Sequence, residues 1–76
     1  MKAEVGKRYR HYRNKEEYIV RAIGMDSDTL VELVIYEGQY ESPEFGKNPV
    51  WVRPRSEFEG RVEHEGMSVY RFERIE

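Results

Sequence analysis

Short β-prone segments separated by turn-forming residues are the feature that most constrains the fold of this chain. The segments are rich in Tyr, Val, Ile and Phe, and none sustains the 3.6-residue apolar period of an amphipathic helix. Strands are predicted near residues 8–13, 17–24, 30–37, 50–53, 59–64 and 68–74. Short strands at this spacing are typical of a small barrel or sandwich.

The connections between these segments carry recognisable turn chemistry. Asn14–Glu16 and Asp26–Asp28 are compact polar links, and Glu65-Gly66 predicts a tight hairpin in which glycine supplies a positive φ. The longest connection, from Gly38 to Pro49, is predicted to be a surface loop. Pro54 fixes its own φ, so one short helical turn is predicted over residues 54–58.

Strand parity indicates how the sheet closes. In the second segment Tyr18, Val20 and Ala22 share one face, while the opposite face also carries isoleucines. The third segment is likewise apolar on both faces, as expected for the central strands of a strongly bent sheet. The predicted fold is therefore an all-β, SH3-like barrel of five or six short antiparallel strands, with residues 1–76 forming a single domain.

Composition excludes several classes of protein. The chain has no cysteine, so neither disulfides nor thiolate metal sites can stabilise it, and a cytoplasmic location is expected. The longest apolar run, Leu33–Tyr36, is far shorter than the ~20 residues of a membrane span. The start of the sequence has no apolar stretch of the signal-peptide kind. No membrane association is expected.

The charge is distributed unevenly. Residues 1–15 hold six Lys/Arg against one acid, which is a local charge of +5. The rest of the chain holds seven Lys/Arg against fourteen acids, so the molecule as a whole has a formal charge of −2. Such polarity indicates an anionic or aromatic partner, because local basic density attracts anions even on a nearly neutral protein.

The first candidate binding segment lies within this basic region: Tyr9, Arg10, His11 and Tyr12. Aromatic rings interleaved with cations can stack on bases and neutralise phosphates. The same pattern also fits an amphipathic strand with one tyrosine packed inside and the arginines directed outward. On a regular strand the two tyrosines point to opposite faces and cannot form one stacking platform.

The second candidate is the pair Trp51 and Arg53, which share one face of a predicted strand. They could flank a ligand or stack on each other as a cation–π pair. The alternative is that Trp51 is a core side chain and Arg53 pairs with a carboxylate. If the loop from Gly38 to Pro49 folds over Trp51, the groove between them becomes the best pocket candidate.

Catalytic and metal chemistry have little support in the sequence. Asp26 and Asp28 lack the further ligands of a cation site, so a turn satisfied by its own side chains is expected there. His11 and His64 are the only histidines, and no nucleophile-elbow motif accompanies them. No cofactor, metal site or catalytic residue is predicted, although the many carboxylates leave hydrolysis open.

Five pieces of the chain occur in a specific order and spacing: Gly6-x-x-Tyr9-Arg10-His11-Tyr12, Leu33-Val34-Ile35-Tyr36, Trp51-Val52-Arg53-Pro54, Phe58 and Arg71-Phe72. Together they resemble the small bacterial domain-of-unknown-function family 1653. The resemblance implies a compact β-barrel-like domain and no established activity. The chain departs from the family's usual pattern in a longer Gly38–Pro49 loop and in Asp26, where a histidine is more common.

These patterns favour a non-catalytic binding module. The expected partner is a small anionic or aromatic ligand, or a protein segment. The expected ligand-binding residues are Tyr9, Arg10, His11, Tyr12, Trp51 and Arg53. The alternative is single-stranded nucleic-acid binding through the same residues and the basic strip from Lys7 to Lys15.

Overall fold

A computed structural model describes all 76 residues of the chain. It contains nine strands and one short helix. The elements are β1 (Arg8–His11), β2 (Glu17–Met25), β3 (Glu32–Gly38), β4 (Glu41–Ser42), β5 (Gly46–Lys47), β6 (Val50–Pro54), α1 (Arg55–Phe58), β7 (Arg61–His64), β8 (Met67–Tyr70) and β9 (Phe72–Arg74). No helix has the length and apolar character needed to cross a membrane.

The main sheet has five antiparallel strands in the order β6-β3-β2-β1-β9. Two further pairs, β4–β5 and β7–β8, form small sheets of their own. The predicted all-β class and the single helical turn near 54–58 are confirmed. The sheet is open, however, and not a closed barrel, because β6 and β9 lie at opposite edges and do not pair with each other.

Several predicted strand boundaries differ from those observed. The first strand ends at His11 instead of residue 13, because the Lys15 amide bonds back to the His11 carbonyl and closes a turn. The third begins at Glu32, since Leu30 has a φ of 63° and belongs to the preceding turn. The predicted strand at 68–74 is two strands, β8 and β9, which separate at Arg71 and pair with different partners.

A bulge in β2 explains why this strand is apolar on both faces. The β2–β3 register shifts between Val20 and Ala22, so one extra residue is inserted at Arg21. Such an insertion reverses the inward and outward faces beyond it. Val20 is buried, but Ala22 is exposed and Ile23 packs against the core instead. The predicted shared face of Tyr18, Val20 and Ala22 is therefore wrong at Ala22.

The core is small and largely aromatic. The rings of Phe58 and Phe72 stack with centroids 4.1 Å apart and an angle of 12° between their planes. The Tyr36 ring contacts both of them edge-on, at 5.2 and 5.3 Å. The buried apolar residues are Ala3, Tyr9, Tyr18, Val20, Val34, Tyr36, Phe58 and Phe72. Since α1 supplies Phe58, this single helical turn covers the inner face of the sheet.

The predicted turns form as their side chains require. Asn14 accepts a 2.8 Å hydrogen bond from the Glu16 amide, and Asp26 accepts bonds from the amides of Asp28 and Thr29. These amide donors hold the pKa of the Asp26 carboxyl below its usual value. The chain also turns tightly at Gly66, which has a φ of 78°.

Candidate functional site

The best candidate site is a cavity of about 230 Å³ on the inner side of the sheet, beside β6. It is bounded mainly by aromatic and hydrogen-bonding side chains, and we call it the aromatic cavity. The lining residues are His11, Asn14, Tyr18, Tyr36, Tyr40, Trp51, Arg53 and Phe72. Three of the six predicted site residues, His11, Trp51 and Arg53, thus meet in one place.

A chain of hydrogen bonds holds one wall of the aromatic cavity. The Trp51 Nε1 donates to the Tyr40 hydroxyl at 3.1 Å, and that hydroxyl lies 3.3 Å from the Tyr18 hydroxyl. Asn14 Nδ2 donates to Tyr18 at 3.1 Å. Burial is the largest cause that raises the pKa of Tyr18, and the hydrogen bond with Tyr40 raises it further. The Tyr18 phenol therefore stays protonated at neutral pH.

The 38–49 connection contacts Trp51, which was the condition for a groove between this loop and the indole. Tyr40 reaches the indole by its hydrogen bond, and the Phe45 ring lies edge-on to it with centroids 5.3 Å apart. Asn48 ties the ends of this segment together, since its Nδ2 donates to the Gly38 carbonyl and its amide to the Tyr40 carbonyl. The loop is therefore an ordered wall of the cavity, built around the β4–β5 pair.

Arg53 supplies the positive charge of the aromatic cavity. Its Nε donates to the Tyr36 hydroxyl at 3.3 Å, and its Nη1 lies 3.5 Å from a Glu57 carboxylate oxygen. The Nη2 group has no partner within the protein. The arginine is partly exposed and faces a buried tyrosine on one side, so its charge is available to an incoming anion.

His11 is held as a neutral ring at the edge of the same cavity. Its Nδ1 accepts a 3.1 Å hydrogen bond from the Arg13 amide, and its ring packs edge-on against Phe72 at 5.0 Å. Burial lowers the pKa of the imidazole to about 4, together with the charges of Arg53, Arg71 and Arg13. At neutral pH the single ring proton is therefore on Nε2, since Nδ1 is an acceptor.

The other predicted site residues lie elsewhere. Tyr9 is fully buried, with its ring edge-on to Phe58 at 5.4 Å and its hydroxyl bonded to the Lys2 carbonyl and the Glu4 amide. Tyr9 is therefore a core residue that ties down the N-terminal segment, and it offers no surface to a ligand.

Arg10 and Tyr12 line a second cavity of about 220 Å³ between β1 and the β7–β8 pair. This second cavity shares His11 with the aromatic cavity and also includes Lys15 and His64. The Tyr12 ring lies edge-on to His64 at 5.2 Å. Arg10 and Tyr12 are thus separated from Trp51 and Arg53 by the His11 ring and do not join the same cavity.

The basic strip of the N-terminal region is partly neutralised. The Glu17 carboxylate forms ion pairs with the guanidinium groups of Arg8 and Arg10, at 3.2 and 3.0 Å. The Arg8 guanidinium also lies 3.6 Å from the Glu76 carboxylate. Arg13 lies over the Tyr12 ring, 5.6 Å from its centroid. Since the strand arginines are paired with carboxylates, the strip offers fewer free cations than its composition indicates.

The largest cavity, about 840 Å³, lies beside α1 and the turn that precedes β3. Arg55 lines this cavity, and its guanidinium group forms ion pairs with Glu59 at 2.8 Å and with Glu32 at 3.1 Å. No cluster of three or more potential metal-ligating side chains occurs in the structure. The aromatic cavity is the better candidate, because it combines a cation with aromatic rings, whereas no aromatic residue lines the largest cavity.

Sequence reasoning missed the three tyrosines of the site, Asn14 and Phe72. Tyr18 and Tyr36 occupy strand positions where phenylalanine would pack equally well, and a buried hydroxyl requires a partner. Six tyrosines in 76 residues were the available signal. Their convergence depends on the pairing of β2 with β3 and on the path of the loop, which no local pattern specifies.

The fold and this site define a small all-β domain with an aromatic, positively charged cavity. Within that class, the family described as "Protein of unknown function (DUF1653)" matches residues 7–74, and the chain belongs to this family. The family resemblance noted in the sequence is thereby confirmed. Comparison with curated proteins and with solved structures finds no match.

Proposed function

We propose that this domain is a non-catalytic binding module whose site is the aromatic cavity. Its ligand is a small anionic or aromatic molecule, or a segment of a protein that presents such a group. The observation that carries the proposal is the placement of Arg53 and a neutral His11 in one cavity with Trp51 and three tyrosines. A cationic group surrounded by ring faces and edges suits a planar anion.

The side chains of the cavity favour binding over chemistry. Asn14, Tyr18, Tyr40 and Trp51 hold one another in a continuous hydrogen-bond chain, which fixes the shape of the site before a ligand arrives. A preorganised site loses little conformational entropy on binding. No serine, threonine or carboxylate lines the cavity, so it contains no activated hydroxyl or carboxylate pair.

Single-stranded nucleic-acid binding is the alternative, and the second cavity is where it would act. Arg13 and Lys15 form no ion pair within the protein, and Tyr12 could offer a ring to a base. The pairing of Arg8 and Arg10 with Glu17 weakens this alternative, because each paired arginine must give up a carboxylate before it can neutralise a phosphate. A cytoplasmic location remains a prediction of either proposal.

An NMR titration of isotope-labelled protein separates the two proposals. Small aromatic acids should shift resonances of His11, Tyr40 and Trp51, with little dependence on salt. Single-stranded DNA or RNA should instead shift Tyr12 and Lys15, with log K falling against log[salt] by about 0.7 for each phosphate neutralised.

Two variants that each remove one positive charge provide the matched comparison. Arg53→Gln should weaken aromatic-acid binding and leave oligonucleotide binding unchanged. Arg13→Gln should do the reverse. The binding-module proposal is wrong if millimolar aromatic acids and protein-derived peptides produce no shifts in the aromatic cavity.

A further inference from the structure

We propose that the aromatic cavity selects an oxyanion carried on a planar aromatic ring, of which an aromatic carboxylate is the simplest example. This inference rests on the proposed function and specifies its ligand class. The reason is that several protons in the cavity have no acceptor within the protein, and one of them is on the Arg53 cation, while no carboxylate lines the cavity. A complementary ligand must therefore present acceptors.

The first unpaired donor belongs to the Tyr18–Tyr40 pair. Tyr40 accepts from Trp51 and Tyr18 accepts from Asn14, while the two hydroxyls share one hydrogen bond with each other. That shared bond uses only one of the two hydroxyl protons. Whichever tyrosine accepts it retains a proton with no acceptor in the protein. This wall therefore always presents one O–H donor.

Tyr36 and Arg53 supply the second and third unpaired donors. The Tyr36 hydroxyl accepts from Arg53 Nε at 3.3 Å, and its own proton has no acceptor within the protein. Arg53 Nη2 is also without a partner, because its Nε bonds to Tyr36 and its Nη1 faces Glu57. A neutral hydroxyl donor thus lies next to a charged one. An oxyanion can accept from both.

His11 supplies the fourth donor. Because its Nδ1 is occupied by the Arg13 amide, the ring proton lies on Nε2, and that group has no partner within the protein. Oδ1 of Asn14 is the only side-chain carbonyl oxygen in the lining, and it accepts from the Glu16 amide. The nearest carboxylate to Arg53, that of Glu57, does not line the cavity.

The volume and lining of the cavity limit the size and type of the rest of the ligand. Its volume of about 230 Å³ lies below the roughly 300–1,000 Å³ of sites for larger organic ligands, which indicates one ring with one charged substituent. The partly exposed rings of Trp51 and Tyr40 provide the apolar contact for that ring. A cationic ligand of the same size would be repelled by Arg53, and no carboxylate in the lining offsets that repulsion.

The test is an NMR titration of the full chain with three ligands of matched size: benzoate, benzamide and benzylamine. Benzoate should shift His11, Tyr40 and Trp51, and should bind at least about tenfold more tightly than benzylamine. Benzamide, which keeps the carbonyl acceptor without the charge, should fall between them. Arg53→Gln should lower benzoate affinity about tenfold or more, and Tyr36→Phe should lower it severalfold while retaining the ring.

Arg61→Gln is the charge-matched control, since Arg61 packs on Tyr70 away from the cavity. It should leave benzoate affinity unchanged, and the amide spectrum of each variant verifies folding. Benzylamine binding in the cavity as tightly as benzoate would overturn the donor inference and leave the binding-module proposal standing. If none of the three shifts the cavity at millimolar concentration, and other small aromatic acids and peptides also fail, both are wrong.

Discussion

The indole Nε1 of Trp51 donates a 3.1 Å hydrogen bond to the hydroxyl of Tyr40, and this contact joins the edge strand β6 to the connection that precedes it. Tyr40 in turn contacts Tyr18 on β2, with ring centroids 5.6 Å apart. One hydroxyl thus links an edge strand, a loop and a central strand. The shape of the candidate site depends on it.

Replacement of Tyr40 by phenylalanine should lower the free energy of unfolding by about 1–3 kcal/mol. The change leaves Trp51 Nε1 without an acceptor in a partly buried site, and such losses fall in that range. Urea denaturation followed by the fluorescence of the single tryptophan measures it. Tyr70→Phe is the control, because that hydroxyl makes no hydrogen bond within the protein, and its effect should be within about 0.5 kcal/mol. Equal losses in both variants would contradict this role of Tyr40.

Replacement of Gly38 by alanine should disturb the cavity from the side of the loop. A Cβ at this position would lie 2.5 Å from Cε1 of Tyr40, so the ring must move. We expect a loss of about 1–3 kcal/mol, as for other overpacked sites, together with shifted Tyr40 and Trp51 resonances. Gly24→Ala is the comparison, since its Cβ meets only Cδ1 of Ile35 at 3.2 Å. Unchanged Tyr40 resonances in Gly38→Ala would show that the close packing is not maintained.

The pH dependence of stability should carry a contribution from His11. Because its pKa is lowered to about 4, against about 6.5 in an unfolded chain, the native state disfavours the protonated ring. The stabilisation by the neutral ring is fully present above pH 6.5 and is lost as the pH falls toward 4. His11→Gln should therefore show a flatter decline of stability between pH 6.5 and 4 than the wild type. An NMR titration that places the His11 midpoint near 6.5 would refute the prediction.

Ligand binding should change the pKa of the His11 imidazole. An anion bound beside His11 stabilises the protonated imidazole, so saturating benzoate should raise its pKa above the value of about 4 in the free protein. By linkage, benzoate affinity should increase as the pH is lowered from 7 toward 5. Benzamide is the control, since a neutral ligand should leave the His11 midpoint nearly unchanged or lower it. A benzoate-induced decrease would contradict binding of the anion next to this ring.

Truncation of Phe72 should test the aromatic core that supports the site. Phe72 is 1% exposed, stacks on Phe58 and underlies His11, so Phe72→Ala should cost about 3–5 kcal/mol. Thermal unfolding measures the loss, and Phe72→Leu provides a milder variant if the alanine protein does not fold. Phe45→Ala is the matched control, because Phe45 is 60% exposed, and it should cost about 1 kcal/mol or less. Comparable losses at the two positions would contradict the assignment of the core.

The local features of this fold were predictable because their causes lie within a few residues of sequence. Asn14 and Asp26 accept hydrogen bonds from amides two or three residues away, and Pro54 sets its own φ, so these turns and the helical turn after Pro54 formed as expected. The placement of Trp51 and Arg53 on one strand face also followed from strand periodicity, and both line the same cavity. The family membership was equally evident in the order of the short motifs.

The convergence of the site was decided only by the tertiary structure. The bulge at Arg21 reversed the faces of β2, the lack of pairing between β6 and β9 left the sheet open, and burial of Tyr9 removed a predicted ligand contact. Each outcome depends on competition between distant segments for the same buried space and backbone partners, which local periodicity does not encode. Tyr18 and Tyr40 are 22 residues apart in sequence, yet their hydroxyls lie 3.3 Å apart. Composition and strand pattern therefore determined the kind of domain, while long-range packing determined where its unpaired donors point.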